Sequence, residues 1–249
     1  MKIIISPAKK MNVKTDILPY KSMPVFLEDT ERLLQWVQAL SFLEVQKLWG
    51  CNEKLARLNF DRLKDMRLDR NPTPALLSYE GIQYRYMAPE VFTEKECKYV
   101  QSHLRILSGF YGVLKPFDGV VPYRLEMQAK AKVNGTKDLY DFWKGKIYEE
   151  VAADKTMVTI INLASKEYSG CIEKYLDPQD TYITCVFGEL RGDKIIQKGT
   201  LAKMARGEMV RFMAENSIRE PEGIKEFNRL GYHFEKELSS EKEFIFLKD

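Results

Sequence analysis

The chain has 249 residues, a length that one hydrophobic core can organise, and no shift in composition marks a second core. Apolar residues make up 45% and charged residues of both signs 30%, interspersed, which excludes a disordered chain, while a net charge of +3 is too weak to identify a polyanionic partner without local clusters. The expectation is one domain over residues 1–249, α/β in class, with a central mixed sheet flanked by helices.

The opening MKIIISPAKK holds an apolar run of three residues, far short of a signal peptide or a membrane span, so a cytoplasmic protein without membrane contact is expected. Lys2 to Ile5 reads as a short buried strand stopped at Ser6-Pro7, because proline confines the residue before it to extended backbone. From Val25 to about Asp65, Leu33, Leu34, Val37 and Leu40, then Leu55, Leu58 and Leu63, recur at helical spacing broken near Gly50, which predicts two or three helices. Asn71-Pro72-Thr73-Pro74 is a loop too short to separate a pair of domains.

Thr93 and Glu96 form a capping-box pattern, and Cys97, Val100, Leu104 and Leu107 extend one helical stripe up to Gly109. Asp138 opens another helix, with Leu139, Phe142, Trp143, Ile147 and Val151 on one face. Met157 to Leu163 reads as a strand buried on both faces, and Ser165 stands where it would cap a helix over 166–176. Strands follow at Tyr182 to Leu190 and Ile195-Ile196, then a long helix from Gly199 to about Ser217, a short one from Pro221 and a closing strand at Phe244 to Leu247.

Cys51, Cys97, Cys171 and Cys185 form no C-x-x-C pair and His103 and His233 stand far apart, so reduced core thiols are expected and no metal site or cofactor. Three other groupings could carry function. Gly109-Phe110-Tyr111-Gly112, read as a hairpin between two helices, could offer backbone N–H groups to a phosphate, with Arg105, Lys115 and Arg124 adding charge. The plainer alternative makes Gly109 a helix stop and Tyr111 a core aromatic. On the long helix, the wheel gathers Lys203, Arg206 and Arg211 into a basic ridge that is either a phosphate-neutralising surface or an ordinary solvated face. Third, if the strands at Lys2–Ile5 and Met157–Leu163 are parallel neighbours, their carboxyl ends border one crevice. Ser6, Lys9, Asn162 and Glu167, with Arg124 and Glu126, would then make a polar pocket capable of acid–base work. No Walker loop is present, since Gly109 and Gly112 lack a following Gly-Lys-Ser/Thr.

Six ordered segments carry a resemblance. Ile5 to Lys9 reads I-S-P-A-K, His103 to Leu114 H-L-R-x-L-S-G-x-Y-G-x-L, Pro122 to Met127 P-Y-R-L-E-M, Leu139 to Trp143 L-Y-x-F-W, Ile161 to Tyr168 I-N-L-A-S-x-E-Y and Lys203 to Phe212 K-x-A-R-G-x-M-x-R-F. In order and spacing these resemble the YaaA family of bacterial peroxide-stress proteins over nearly the whole chain. The resemblance implies a compact α/β fold, a positively charged cleft, a helix-hairpin-helix-like element, DNA binding, and protection against peroxide by limiting iron and the DNA damage it promotes. Two departures are visible: two residues, not one, separate Gly109 from Gly112, and Met204 stands where some relatives have a second Lys.

The resemblance brings no catalytic residue. The expected function is therefore non-enzymatic, sequence-independent binding of double-stranded DNA through Arg105, Gly109, Gly112, Lys115, Arg124, Lys203, Arg206 and Arg211. The alternative is an enzyme acting on a nucleobase or damaged DNA through the strand-end pocket.

Overall fold

The computed structural model describes residues 1–153 and 157–248. Ile3, Ile4 and Ile5 have no exposed surface, and a continuous apolar run of this kind is buried on both faces only inside a sheet covered from both sides. In chain order the main strands are β1 (Lys2–Ile5), β2 (Leu104–Ser108), β3 (Gly112–Leu114), β4 (Thr159–Leu163), β5 (Thr181–Arg191), β6 (Lys194–Ile196), β7 (Tyr232–Phe234) and β8 (Glu243–Lys248). They lie in the order β7-β8-β5-β4-β1-β2-β3, with β6 folded back on β5. The five strands from β8 to β2 are parallel, whereas β7, β3 and β6 pair antiparallel at the margins, which is the expected mixed sheet.

The helices are α1 (Leu27–Gln38), α2 (Phe42–Trp49), α3 (Glu53–Lys64), α4 (Ile82–Met87), α5 (Glu94–His103), α6 (Leu139–Trp143), α7 (Lys146–Ala152), α8 (Lys166–Glu173) and α9 (Gly199–Glu215), with one further helical turn at Ala75–Ser78. Gly50 ends α2 in the left-handed conformation at φ 53°, which is why the apolar stripe between Leu33 and Leu63 breaks there. The capping box at Thr93 and Glu96 forms in both directions. The segment after Asp138 is two helices rather than one, because Lys144 turns the backbone to φ 47° between them. One large apolar core joins the sheet to the helices, and Val186, Ile245 and Leu247 form a smaller cluster with Ile195 packed against it. Among the described residues no helix is long and apolar enough to cross a membrane.

The expected helix over residues 94–109 stops at His103, and the rest of the stripe is strand β2. Val100, Leu104 and Leu107 have helical spacing, but Leu104, Ile106 and Leu107 are all fully buried, and β1 on one side and β3 on the other satisfy the backbone in a sheet. Gly109–Tyr111 is accordingly the turn of a β-hairpin, not of a helix-hairpin-helix. Ser108 pairs with Gly112, whose φ of 72° closes the turn.

Strand β1 has β2 as one neighbour and β4 as the other, so the chain leaves it in opposite directions along the sheet. The carboxyl ends of β1 and β4 are level, Ile5 opposite Leu163. Open α/β sheets bind ligands at such a reversal point.

Candidate functional site

The two level strand ends are tied together by a serine pair. Ser6 Oγ accepts the Ser165 N–H at 2.8 Å and lies 3.1 Å from Ser165 Oγ. Ser165 precedes α8 as expected but its hydroxyl makes no capping bond, being turned to Ser6 instead. Asn162 is 3% exposed; its amide donates to Thr184 Oγ1 at 3.2 Å and its oxygen accepts the Ala164 N–H at 2.9 Å. It braces the end of β4 from beneath and does not line the cleft above.

That cleft, about 410 Å³, is bounded by the loop after β1, the start of α4, residues 123–126, the first turn of α8 and one side of α9. A glycine sets the last wall. A Cβ on Gly207 would stand 2.1 Å from the Gln83 carbonyl oxygen, so the bare backbone of α9 rests directly on α4. This contact carries Lys203 and Arg206 over the strand ends, beside Gln83 and Tyr84.

Five cations, Lys9, Lys10, Arg124, Lys203 and Arg206, line the cleft against three acids, Glu80, Glu126 and Glu167. Lys10 is bound to Glu80 at 2.7 Å. Buried Glu126 has Arg124 at 3.2 Å and Lys9 at 3.3 Å. Among the described residues Lys203 and Arg206 have no acidic partner. Burial pulls the Arg206 guanidinium below its ordinary value, although a guanidinium stays charged at any physiological pH. Glu167 Oε1 accepts the Gln128 N–H at 3.3 Å, and burial pushes its carboxyl above the ordinary range. Tyr84 donates to the Ser6 carbonyl at 3.0 Å, and Tyr123 shares hydrogen bonds with Ser108 and Tyr79, its hydroxyl pushed up to about 12 by burial.

The structure thus brings Ser6, Lys9, Glu167, Arg124, Lys203 and Arg206 to one concave surface. It takes the other residues elsewhere. Arg105 is 4% exposed on β2 and donates to the carbonyls of Leu104 at 2.8 Å and Gln101 at 3.3 Å. With Lys115 it borders a smaller hollow around buried Asp118 that shares no residue with the cleft. The hairpin amides are already used: Ser108 Oγ accepts Phe110 N–H at 3.2 Å and Tyr111 N–H at 2.9 Å. Gly109 admits the backbone of residues 125–127, whose atoms would lie 2.6–2.9 Å from a Cβ, and Gly112 admits the Phe26 and Trp143 rings. Both glycines therefore serve packing. Arg211 is held by Glu215 at 2.8 Å on the same helix, so the basic ridge is cut short after Arg206.

Sequence reasoning did not find Glu80, Gln83, Tyr84 or Tyr168, which also line the cleft. One signal for α4 was present: an isolated glycine in the middle of a 17-residue helix marks a close backbone approach. Among the described residues no group of three or more His, Cys, Asp or Glu is placed to hold a metal ion.

A partly parallel sheet with helices on its faces defines an α/β protein, and its charged cleft lies at the reversal point, where open α/β sheets bind ligands. Its family is shown by similarity along the chain: the model of the peroxide stress protein YaaA family matches residues 1–238, and the chain belongs to that family. It is 56% identical to a UPF0246 protein of Agathobacter rectalis over 99% of this chain and 98% of the relative. A UPF0246 protein of Desulfitobacterium hafniense is 55% identical over 100% and 98%, and one of Limosilactobacillus reuteri 53% over 99% and 98%.

Proposed function

We propose that this protein acts in peroxide stress by binding DNA phosphates in the cleft at the ends of β1 and β4, without reading sequence. One observation carries the reading: Lys203 and half-buried Arg206 face a concave surface with no acid to neutralise them among the described residues. A cation held in a partly desolvated groove attracts anions more strongly than one on an open surface. Phosphate contacts position a duplex and carry no base information, so binding is sequence-independent.

The consequence for peroxide damage is local. Ferrous iron held on phosphate oxygens converts peroxide to a radical that attacks where it forms. Cationic side chains occupying those oxygens displace the iron by the same counterion release that drives their binding. The protein thereby limits iron-promoted damage to cytoplasmic DNA.

Fluorescence anisotropy of a labelled duplex at low salt tests the reading. The wild-type protein is expected to bind, and Arg206→Met to weaken binding about tenfold, the size of one charge-assisted hydrogen bond. A matching far-UV circular dichroism spectrum and thermal melt keep folding out of the comparison. A duplex that does not bind, or binds both proteins equally, overturns the proposal.

A further inference from the structure

The cleft holds more unmet hydrogen-bonding capacity than a phosphate can use. Among the described residues, Gln83 Nε2, Arg124 Nε and Arg206 Nε are buried donors without a hydrogen-bond partner, and both carboxylate oxygens of Glu126 are buried acceptors without one. Lys9 and Arg124 balance the charge of Glu126 from 3.3 and 3.2 Å, but neither makes a directed hydrogen bond to it. Buried polar groups are nearly always satisfied, and four residues that break the rule around one cavity point to a ligand.

The chemistry of that ligand follows from the signs. An ionised phosphate has acceptors alone; it suits the arginines and leaves Glu126 unmet, with Glu167 repelling it nearby. The occupant must accept from guanidinium and amide groups and also donate to a carboxylate. Tyr84, Tyr123 and Tyr168 add aromatic surface, on which a planar heterocycle stacks. The volume, about 410 Å³, falls in the range of small-molecule sites: it takes one nucleotide and not the body of a duplex, whose phosphates on the reading above meet the cations at the mouth of the cleft.

Resting on the phosphate-binding reading above, we propose that the floor of the cleft receives one unstacked nucleotide with guanine as its best-matched base. Guanine donates N1–H and an N2 amine proton from one edge, complementary to the Glu126 carboxylate. It accepts at O6 and N7 on the adjoining edge, the pair that a guanidinium engages. Thymine offers one N–H and no amine. A base reaches such a pocket from a duplex by extrusion, at least cost where pairing is already broken, and a free nucleotide presents the same edges.

The test uses the intact protein and labelled duplexes that differ only in one bulged nucleotide: guanosine, thymidine or an abasic analogue. Expected is about tenfold tighter binding of the guanosine bulge than of the other two, the discrimination of one bidentate pair. Glu126→Gln should erase the preference and, by removing a negative charge, tighten binding of the abasic probe. Glu167→Gln, at a half-exposed position, is a second variant in case the first does not fold; it should also tighten the abasic probe but keep the preference. Free GMP competing away the preference, where ribose 5-phosphate does not, extends the site to free nucleotides; equal competition by both restricts it to extruded bases. Equal binding of all three bulges with salt-dependent affinity intact overturns the base site and leaves phosphate binding standing. If no duplex binds, the phosphate reading fails, and retention of GMP but not ribose 5-phosphate in equilibrium dialysis alone keeps the base site; retention of neither ends both.

Discussion

Burial holds the Glu167 carboxyl above its ordinary value of 4.5, opposed by the Gln128 amide, reinforced by Glu126 and opposed again by Lys9. The folded protein therefore holds that proton more tightly than the unfolded chain. This contribution to stability is complete below the ordinary value and is lost as pH rises through the window up to the raised one. Ionised Glu167 costs stability at neutral pH, and it places a negative charge on the wall of the cleft proposed to take phosphate. Glu167→Gln keeps an oxygen for the Gln128 amide and removes the charge. The variant is expected to melt at higher temperature than wild type at neutral pH, the gap closing as pH falls towards 4.5. The wild type's duplex affinity should rise with acidification through the same window, and the rise should be smaller in the variant. Paired melts and anisotropy titrations across pH check both statements. Cys171 and Cys185, by contrast, have thiols pushed up to about 12 by burial, so they carry almost no nucleophilic thiolate and act as core, as their sequence context indicated.

Helices α4 and α9 meet backbone to backbone at Gly207, and the cleft depends on that contact. Alanine there gains about 0.8–1.0 kcal/mol of helix propensity. It also drives a methyl group to 2.1 Å from a carbonyl oxygen that cannot rotate away. Overpacking of about 1–3 kcal/mol exceeds the gain, so Gly207→Ala is expected to lower the urea midpoint and to weaken duplex binding by displacing Arg206. An unchanged midpoint would show that α4 yields freely. The same contact explains what could and could not be seen in the amino-acid sequence. Ile3–Ile5 is a continuous apolar run and Thr159–Leu163 a nearly continuous one, so the two buried strands were legible, whereas their pairing, and with it the crevice between their ends, stood in the sequence only as a condition that the register of the sheet meets. Leu104 and Leu107 satisfy helical and strand patterns equally, and only the partners β1 and β3 decide between them. Gln83 and Tyr84 carry no motif. They reach the cleft because a glycine more than a hundred residues away lets two helices touch, which is a tertiary fact.

Across the whole molecule, cations gathered from five segments do not form one continuous basic face. Arg105 and Lys115 surround Asp118, whose carboxyl burial pushes up while Ser22, the Lys115 amide and the two cations pull it down; their charge is committed to the fold. Arg211 and Arg229 share Glu215. Of the cations singled out in the sequence, those left for an anion stand in the cleft, where among the described residues Lys203 and Arg206 have no acidic partner and Lys9 and Arg124 divide one carboxylate. On the proposed reading the cleft would engage about three or four phosphates, fewer than an extended basic surface would bind. With a slope near −0.9 per phosphate, affinity should fall roughly 40- to 150-fold between about 50 and 200 mM salt. Lys203→Ala should reduce the slope by about 0.9, because one counterion fewer is released. Lys115→Ala should leave it unchanged, since the Asp118 hollow shares no wall with the cleft. Anisotropy titrations over a salt series give all three slopes. If Lys115→Ala flattens the dependence as much as Lys203→Ala does, the duplex lies across the β2–β3 hairpin and not along α9, and the cleft is not where the phosphates are held.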